Sequence, residues 1–153
     1  MVGKQLSTAV QPLRVSNAVA AGTTDVNTTV VDTANSDGVR FTVLFGTLTS
    51  SQTTFVKLQG GSLANGSDMA DLLDSTTGTV IKTANLADAD SNKIAVIEVY
   101  KPKVRYVRAV IDRGTANAVI DGATAQLILN NPLPYTSNTT TVAVTAKGDF
   151  AKV

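Results

Sequence analysis

The sequence predicts an all-β protein, an antiparallel β-sandwich or jelly-roll-like body with extended N- and C-terminal arms. Three observations lead there. Runs such as Val39–Phe45 and Ala123–Leu129 place apolar residues at every second position, the period of a strand with one buried face. Charged residues are only 16% of the chain, so Thr, Ser, Asn and Gly supply the polarity, and their short side chains compete with helical backbone hydrogen bonds. Turn residues also interrupt the pattern at short intervals, with no long amphipathic helix between them.

Taken in order, Gln5 to Val19 and Asn27 to Asp32 are weakly β-compatible. The clearest strand is Val39–Phe45, with Val39, Phe41, Val43 and Phe45 on one face, started by Asp37-Gly38 and ended by Gly46. Thr54 to Gln59 forms a second, reached through Thr49-Ser50-Ser51-Gln52 and closed by a Gly60-Gly61 turn, and the two read as a hairpin. Around Asp68–Asp74 a short helical turn capped by Ser67 or Asp68 fits the small and acidic residues. Strand character returns in Lys93–Tyr100 and Val104–Ile111. Their connection, Lys101-Pro102-Lys103, is too short for a crossover helix, which predicts an antiparallel pair. Gly114 to Asn117 makes a turn. Ala118 to Asn130 is the last strand, with Ala123, Ala125, Leu127 and Leu129 sharing a face and Gly122 marking a bulge. Residues 1–20 and 135–153 read as arms around a body spanning 21–134.

The chain has 153 residues, 43% of them hydrophobic, which is enough for one domain with a core of its own. It has no cysteine and no histidine. Disulfides and thiolate metal sites are thereby excluded, and the commonest general base, metal ligand and nucleophile are missing together. The expectation is a protein with no catalytic, cofactor or metal site. Its net charge of +1 supplies no field to attract nucleic acid or an anionic membrane, and neither partner is expected. The first fifteen residues lack a signal-peptide hydrophobic region and no run reaches the ~18 apolar residues of a membrane span, so the chain is expected to stay soluble where it is made.

Three constellations could carry chemistry. Lys101, Lys103, Arg105 and Arg108 surround Tyr106, but strand alternation puts Tyr106 and Arg108 on one side and Lys103 and Arg105 on the other, which splits the charge. Asp88-Ala89-Asp90-Ser91-Asn92 opens like a calcium loop, then fails: Lys93 stands where the sharp turn needs Gly, and Val99 where a bidentate Glu belongs. A polar turn before a strand is the expectation there. Asp68, Asp71 and Asp74 could share a helical face and raise one another's pKa values, although capping explains them as well.

The ordered set Gly38–Val43, Thr54–Leu58, Asp71-Leu72-Leu73, Lys103–Arg108 and Asn131-Pro132-Leu133-Pro134 resembles the head decoration, or cement, proteins of tailed bacteriophages, over residues 27–134. The resemblance implies a β-sandwich that binds the major capsid protein on the outside of the capsid as a homotrimer, reaches a neighbour with an arm, and is made in the host cytoplasm. The interface residues expected on this reading are Leu6, Val10, Leu13, Arg14, Lys103, Arg105 and Tyr135, and loss of residues 1–14 should weaken capsid binding while leaving the body folded. A head–tail connector or tail component is the alternative. A carbohydrate-binding β-sandwich also uses Arg-Tyr-Val-Arg strands, but stacks sugars on aromatics, and this chain has no Trp and only 5% aromatic residues.

Overall fold

The computed structural model describes residues 9–130. Ten strands follow one another: β1 (Val10–Ser16), β2 (Val19–Gly22), β3 (Val26–Asn27), β4 (Val31–Asp32), β5 (Ser36–Leu48), β6 (Phe55–Gly61), β7 (Ala70–Asp71), β8 (Ile94–Tyr100), β9 (Tyr106–Asp112) and β10 (Ala118–Leu129). One 3-10 turn, Asp88–Asp90, precedes β8. Every strand pairing is antiparallel. The first sheet runs β1–β10–β5–β8, with β2 continuing along the β1 side of β10; the second runs β3–β9–β6–β7, with β4 beside β3 on β9.

The two sheets bury one shared core. Val39, Phe41, Val43 and Phe45 of β5 and Ala123, Ala125 and Leu127 of β10 point at Val56 and Leu58 of β6 and Val107, Ala109 and Ile111 of β9. Each fully buried Val, Leu, Ile or Phe among them contributes about 1.5–3 kcal/mol of transfer free energy, and each alanine less. The predicted all-β antiparallel sandwich is therefore the fold observed.

Connectivity differs from expectation in two places, for the same reason. Thr54–Gln59 does not form a hairpin with Val39–Phe45, because β5 lies in the first sheet and β6 in the second. Lys93–Tyr100 does not pair with Val104–Ile111, because β8 borders β5 while β9 borders β6. In both cases two strands with apolar faces meet across the core. The connection at 101–105 spans the ~10 Å between stacked sheets, which five extended residues at ~3.3 Å each reach easily.

The bulge predicted at Gly122 is present, and it has a partner. Gly122 has φ +147°, and the β10 register shifts between Ile120 and Gly122. Before it Ala118 and Ile120 face the core, after it Ala123, Ala125 and Leu127 do, so the extra residue switches the inward parity. On β5 the inward set switches likewise from Phe45 to Leu48. Gly46 thus lies inside a thirteen-residue strand and does not end it.

Other expectations need correction. Gly60 and Gly61 are not a turn; they end β6, opposite Val107 and Tyr106. A Cβ on Gly60 would collide with Val104 and Leu72, and one on Gly61 with Asp68, so their bareness lets the loop pack down. Residues 68–74 form no helical turn. They contain β7, followed by a reversal in which the Asp74 carboxylate accepts from the Thr76 and Thr77 amides at 2.9 and 2.8 Å. The predicted N-terminal arm of residues 1–20 is body from Val10 onward, since β1 and β2 pair with β10 and Val15 is buried. The expected C-terminal arm, 135–153, lies outside the described residues.

Candidate interface

The two outward faces of the sandwich differ in chemistry. On the second sheet, Lys57 Nζ and Gln59 Nε2 donate to the Asp71 carboxylate at 3.1 and 2.8 Å, and the Arg108 guanidinium donates to Gln59 Oε1 at 3.1 and 2.7 Å. That face satisfies its own polar groups. Hydrogen bonding to Gln59, and then the neighbouring Lys57, holds the Asp71 carboxyl below the ordinary carboxylate range.

On the first sheet the outward rows follow from the register. Val10, Ile128, Gly38 and Tyr100 align across the strands, then Pro12, Gln126, Arg40 and Glu98, then Arg14, Thr124, Thr42 and Val96, and last Leu44 beside Ile94. Ile94 is 61% exposed, Tyr100 67%, Val96 46%, and Leu44 and Ile128 39% each. Among the described residues these are five of the seven large apolar side chains left exposed, gathered on one face. The ion pair between Arg40 Nε and Glu98 Oε2, 2.8 Å long, sits between the two apolar ends. Beside the Gly122 bulge, a groove of about 370 Å³ opens between Pro12, Arg14, Ser16, Leu44 and Thr124.

The residues expected at an interface scatter. Val10 lies on the outward face, opposite Ile128, and exposed Arg14 lines the groove. Leu13 is half-buried: it packs against the core, as its place two residues before buried Val15 requires, and it also lines the groove. Lys103 is exposed on the connection between the sheets. Arg105 is exposed but engaged, its Nε and Nη2 donating to Asp32 Oδ1 and Oδ2 at 3.0 and 2.8 Å, which holds the Asp32 carboxyl below its ordinary value. Leu6 and Tyr135 lie outside the described residues. Tyr106 and Arg108 share the outward side of β9, and Lys103 and Arg105 precede the strand, so the basic stretch forms no single patch.

The acidic constellations do structural work. Asp68 accepts from the Ser62 and Leu63 amides at 2.6 and 3.1 Å, while Asp71 and Asp74 each serve a different partner set, and the three share no face. Asp90 accepts from the Ala87 amide and from Lys93 Nζ, closing the polar turn that was expected before the strand. The described residues hold no group of three or more acidic side chains placed to grip a metal ion.

The chain matches no family model and no curated protein. The residues that make the apolar face were missed in the sequence, yet a signal was present. Ile94-Ala95-Val96-Ile97-Glu98-Val99-Tyr100 is apolar at both parities, whereas a strand with one solvated face should be polar at 94 and 96.

Proposed function

We propose that this is a non-enzymatic virion structural protein that decorates a phage capsid, laying the outward face of the first sheet against the lattice of the major capsid protein. The observation that carries the proposal is the asymmetry of the sandwich: one outward face is a closed polar network, while the other exposes Leu44, Ile94, Val96, Tyr100 and Ile128 together. An exposed apolar sheet face of this kind favours a macromolecular partner, because burying it in a contact removes apolar area from water at about 25 cal/mol per Å². A decoration protein needs a stiff scaffold and such a face, and it needs no nucleophile or general base.

The test is binding to particles. The full chain should co-sediment with capsids and raise their resistance to heat. Leu44→Glu and Ile128→Glu, both on the outward face, should weaken binding at least about tenfold while leaving the circular dichroism spectrum unchanged. Undiminished binding by both folded variants overturns the choice of face, and failure to bind any capsid overturns the function.

A further inference from the structure

Sheet edges present unpaired backbone amides and carbonyls, and proteins commonly blunt them. Three of the four edges here are blunted. On the first sheet, β1 carries Pro12 and a register shift between Arg14 and Ser16. On the second, β3 and β4 are two-residue pieces, and the far side of β6 is covered by β7 and the segment 80–86, whose residues exchange backbone hydrogen bonds with Thr54, Val56 and Leu58 at 2.8 to 3.0 Å. The fourth edge, β8, has no such device. It runs seven residues in unbroken register with β5, without proline or bulge, and its two lysines, Lys93 and Lys101, stand just beyond its ends.

We infer that β8 is a self-association edge, pairing antiparallel with β8 of a second copy across a two-fold axis at Ile97. Three features select a copy of this chain as the occupant. Antiparallel pairing of one strand with itself is self-complementary by construction. Lys101 N donates to Asp37 O and Phe45 N to Lys93 O, so residues of odd number in β8 bond to β5 and those of even number turn their backbone groups to the free edge. Centring on Ile97 then joins Ile94 to Tyr100 of the partner subunit and Val96 to Glu98 of the partner subunit, giving about eight backbone hydrogen bonds and two Ile–Tyr contacts. Charge is complementary along the strand. The turn before β8 carries Asp88 and Asp90, with only Lys93 bound to the latter at 3.0 Å, and the connection after it carries Lys101 and Lys103, for which the described residues provide no acidic partner. An antiparallel arrangement brings Asp88 and Asp90 at the start of each strand toward Lys103 at the end of the other; it also sets Lys93 opposite Lys101 of the partner subunit, a like-charge pair that the Asp90 carboxylate bound to Lys93 partly offsets.

The contact fuses two first sheets into one and doubles the apolar face offered to a capsid. It makes a dimer, where the resemblance implies a trimer, and it does not depend on the capsid-binding reading because it is measured without capsids. In sedimentation equilibrium the full chain should be a reversible dimer. Raising salt from about 0.05 to 0.5 M should weaken it, because the charges at the strand ends are exposed. Val96→Glu, placed opposite Glu98 of the partner subunit, should raise Kd at least about tenfold, whereas Val96→Lys at the same exposed site should leave Kd unchanged or lower it. A monomer at every concentration, a trimer, or equal weakening by both substitutions overturns the inference.

Discussion

Among the described residues Arg113 is the one buried charge, 5% exposed, and no carboxylate meets it there. Backbone carbonyls hold it instead: Nε donates to Thr24 O at 2.5 Å, and Nη1 to Ala20 O and Ala118 O at 2.7 and 3.1 Å. The guanidinium thus ties the β2–β3 loop to the start of β10. Arg113→Met should cost about 2–4 kcal/mol in urea unfolding, since it leaves inward carbonyls without donors. Arg113→Lys should recover only part of that, because an ammonium cannot reproduce the planar fork. A loss under 1 kcal/mol for the methionine variant would contradict this role. Titration acts through other residues. Asp32, Asp68, Asp71, Asp74 and Asp90 all lie below the usual aspartate value of 3.8, held down chiefly by hydrogen bonds to Arg105, Ser62, Gln59, Thr77 and Ala87 respectively. A carboxyl whose folded pKa is depressed contributes fully above its unfolded pKa and loses that contribution as pH falls through the folded one. Stability should therefore be flat from neutral pH to about 4.5 and fall below about 4, and Asp71→Asn should flatten the decline. These are largely exposed groups, so each contributes modestly.

At the scale of single strands, much of the fold was legible and the pairings were not. Period-2 runs gave β5, β8, β9 and β10 with their inward residues, because each has one face on the core. Partner choice is set by tertiary packing: an apolar face is equally compatible with lying beside another strand or across from it, so β5 with β6 and β8 with β9 looked like hairpins. The β1 strand was weak in sequence because Gln11 puts a polar residue on the inward parity and Val10 an apolar one on the outward parity, yet Leu13 and Val15 still seat it. The apolar face was harder to read, because Ile94 and Val96 carry the same strand character as the core-facing Ala95 and Ile97 beside them. The bulge tests how these strands are held. A Cβ on Gly122 would meet only Ser16 O at 3.4 Å, so space is not what demands glycine; the φ of +147° is. Gly122→Ala should cost more than ~1 kcal/mol through backbone conformation alone, and an unchanged melting temperature would mean that the strand realigns without its bulge.

For the whole molecule, the decisive question is where the folded body begins. The sequence read residues 1–20 as an arm and expected loss of residues 1–14 to leave the body folded, but β1 and β2 form the entire second border of β10. A chain starting at Ala9 keeps every described strand and should melt with the same cooperativity as the full protein. A chain starting at Thr23 removes Val15, Leu13 and Val19 from the core and uncovers the long edge of β10. Burying Val15 fully and Leu13 and Val19 in part is worth roughly 3–6 kcal/mol. Domain stabilities are about 5–15 kcal/mol in total, so the Thr23 chain should be unfolded or aggregated at room temperature. The intermediate deletion, starting at Val15, cuts β1 and should be visibly destabilised, so weakened capsid binding by that chain would report lost folding and not a lost arm. If the Thr23 chain instead gives a cooperative melt at unchanged temperature, β1 and β2 are accessory to the sandwich, and the body begins where the sequence first placed it.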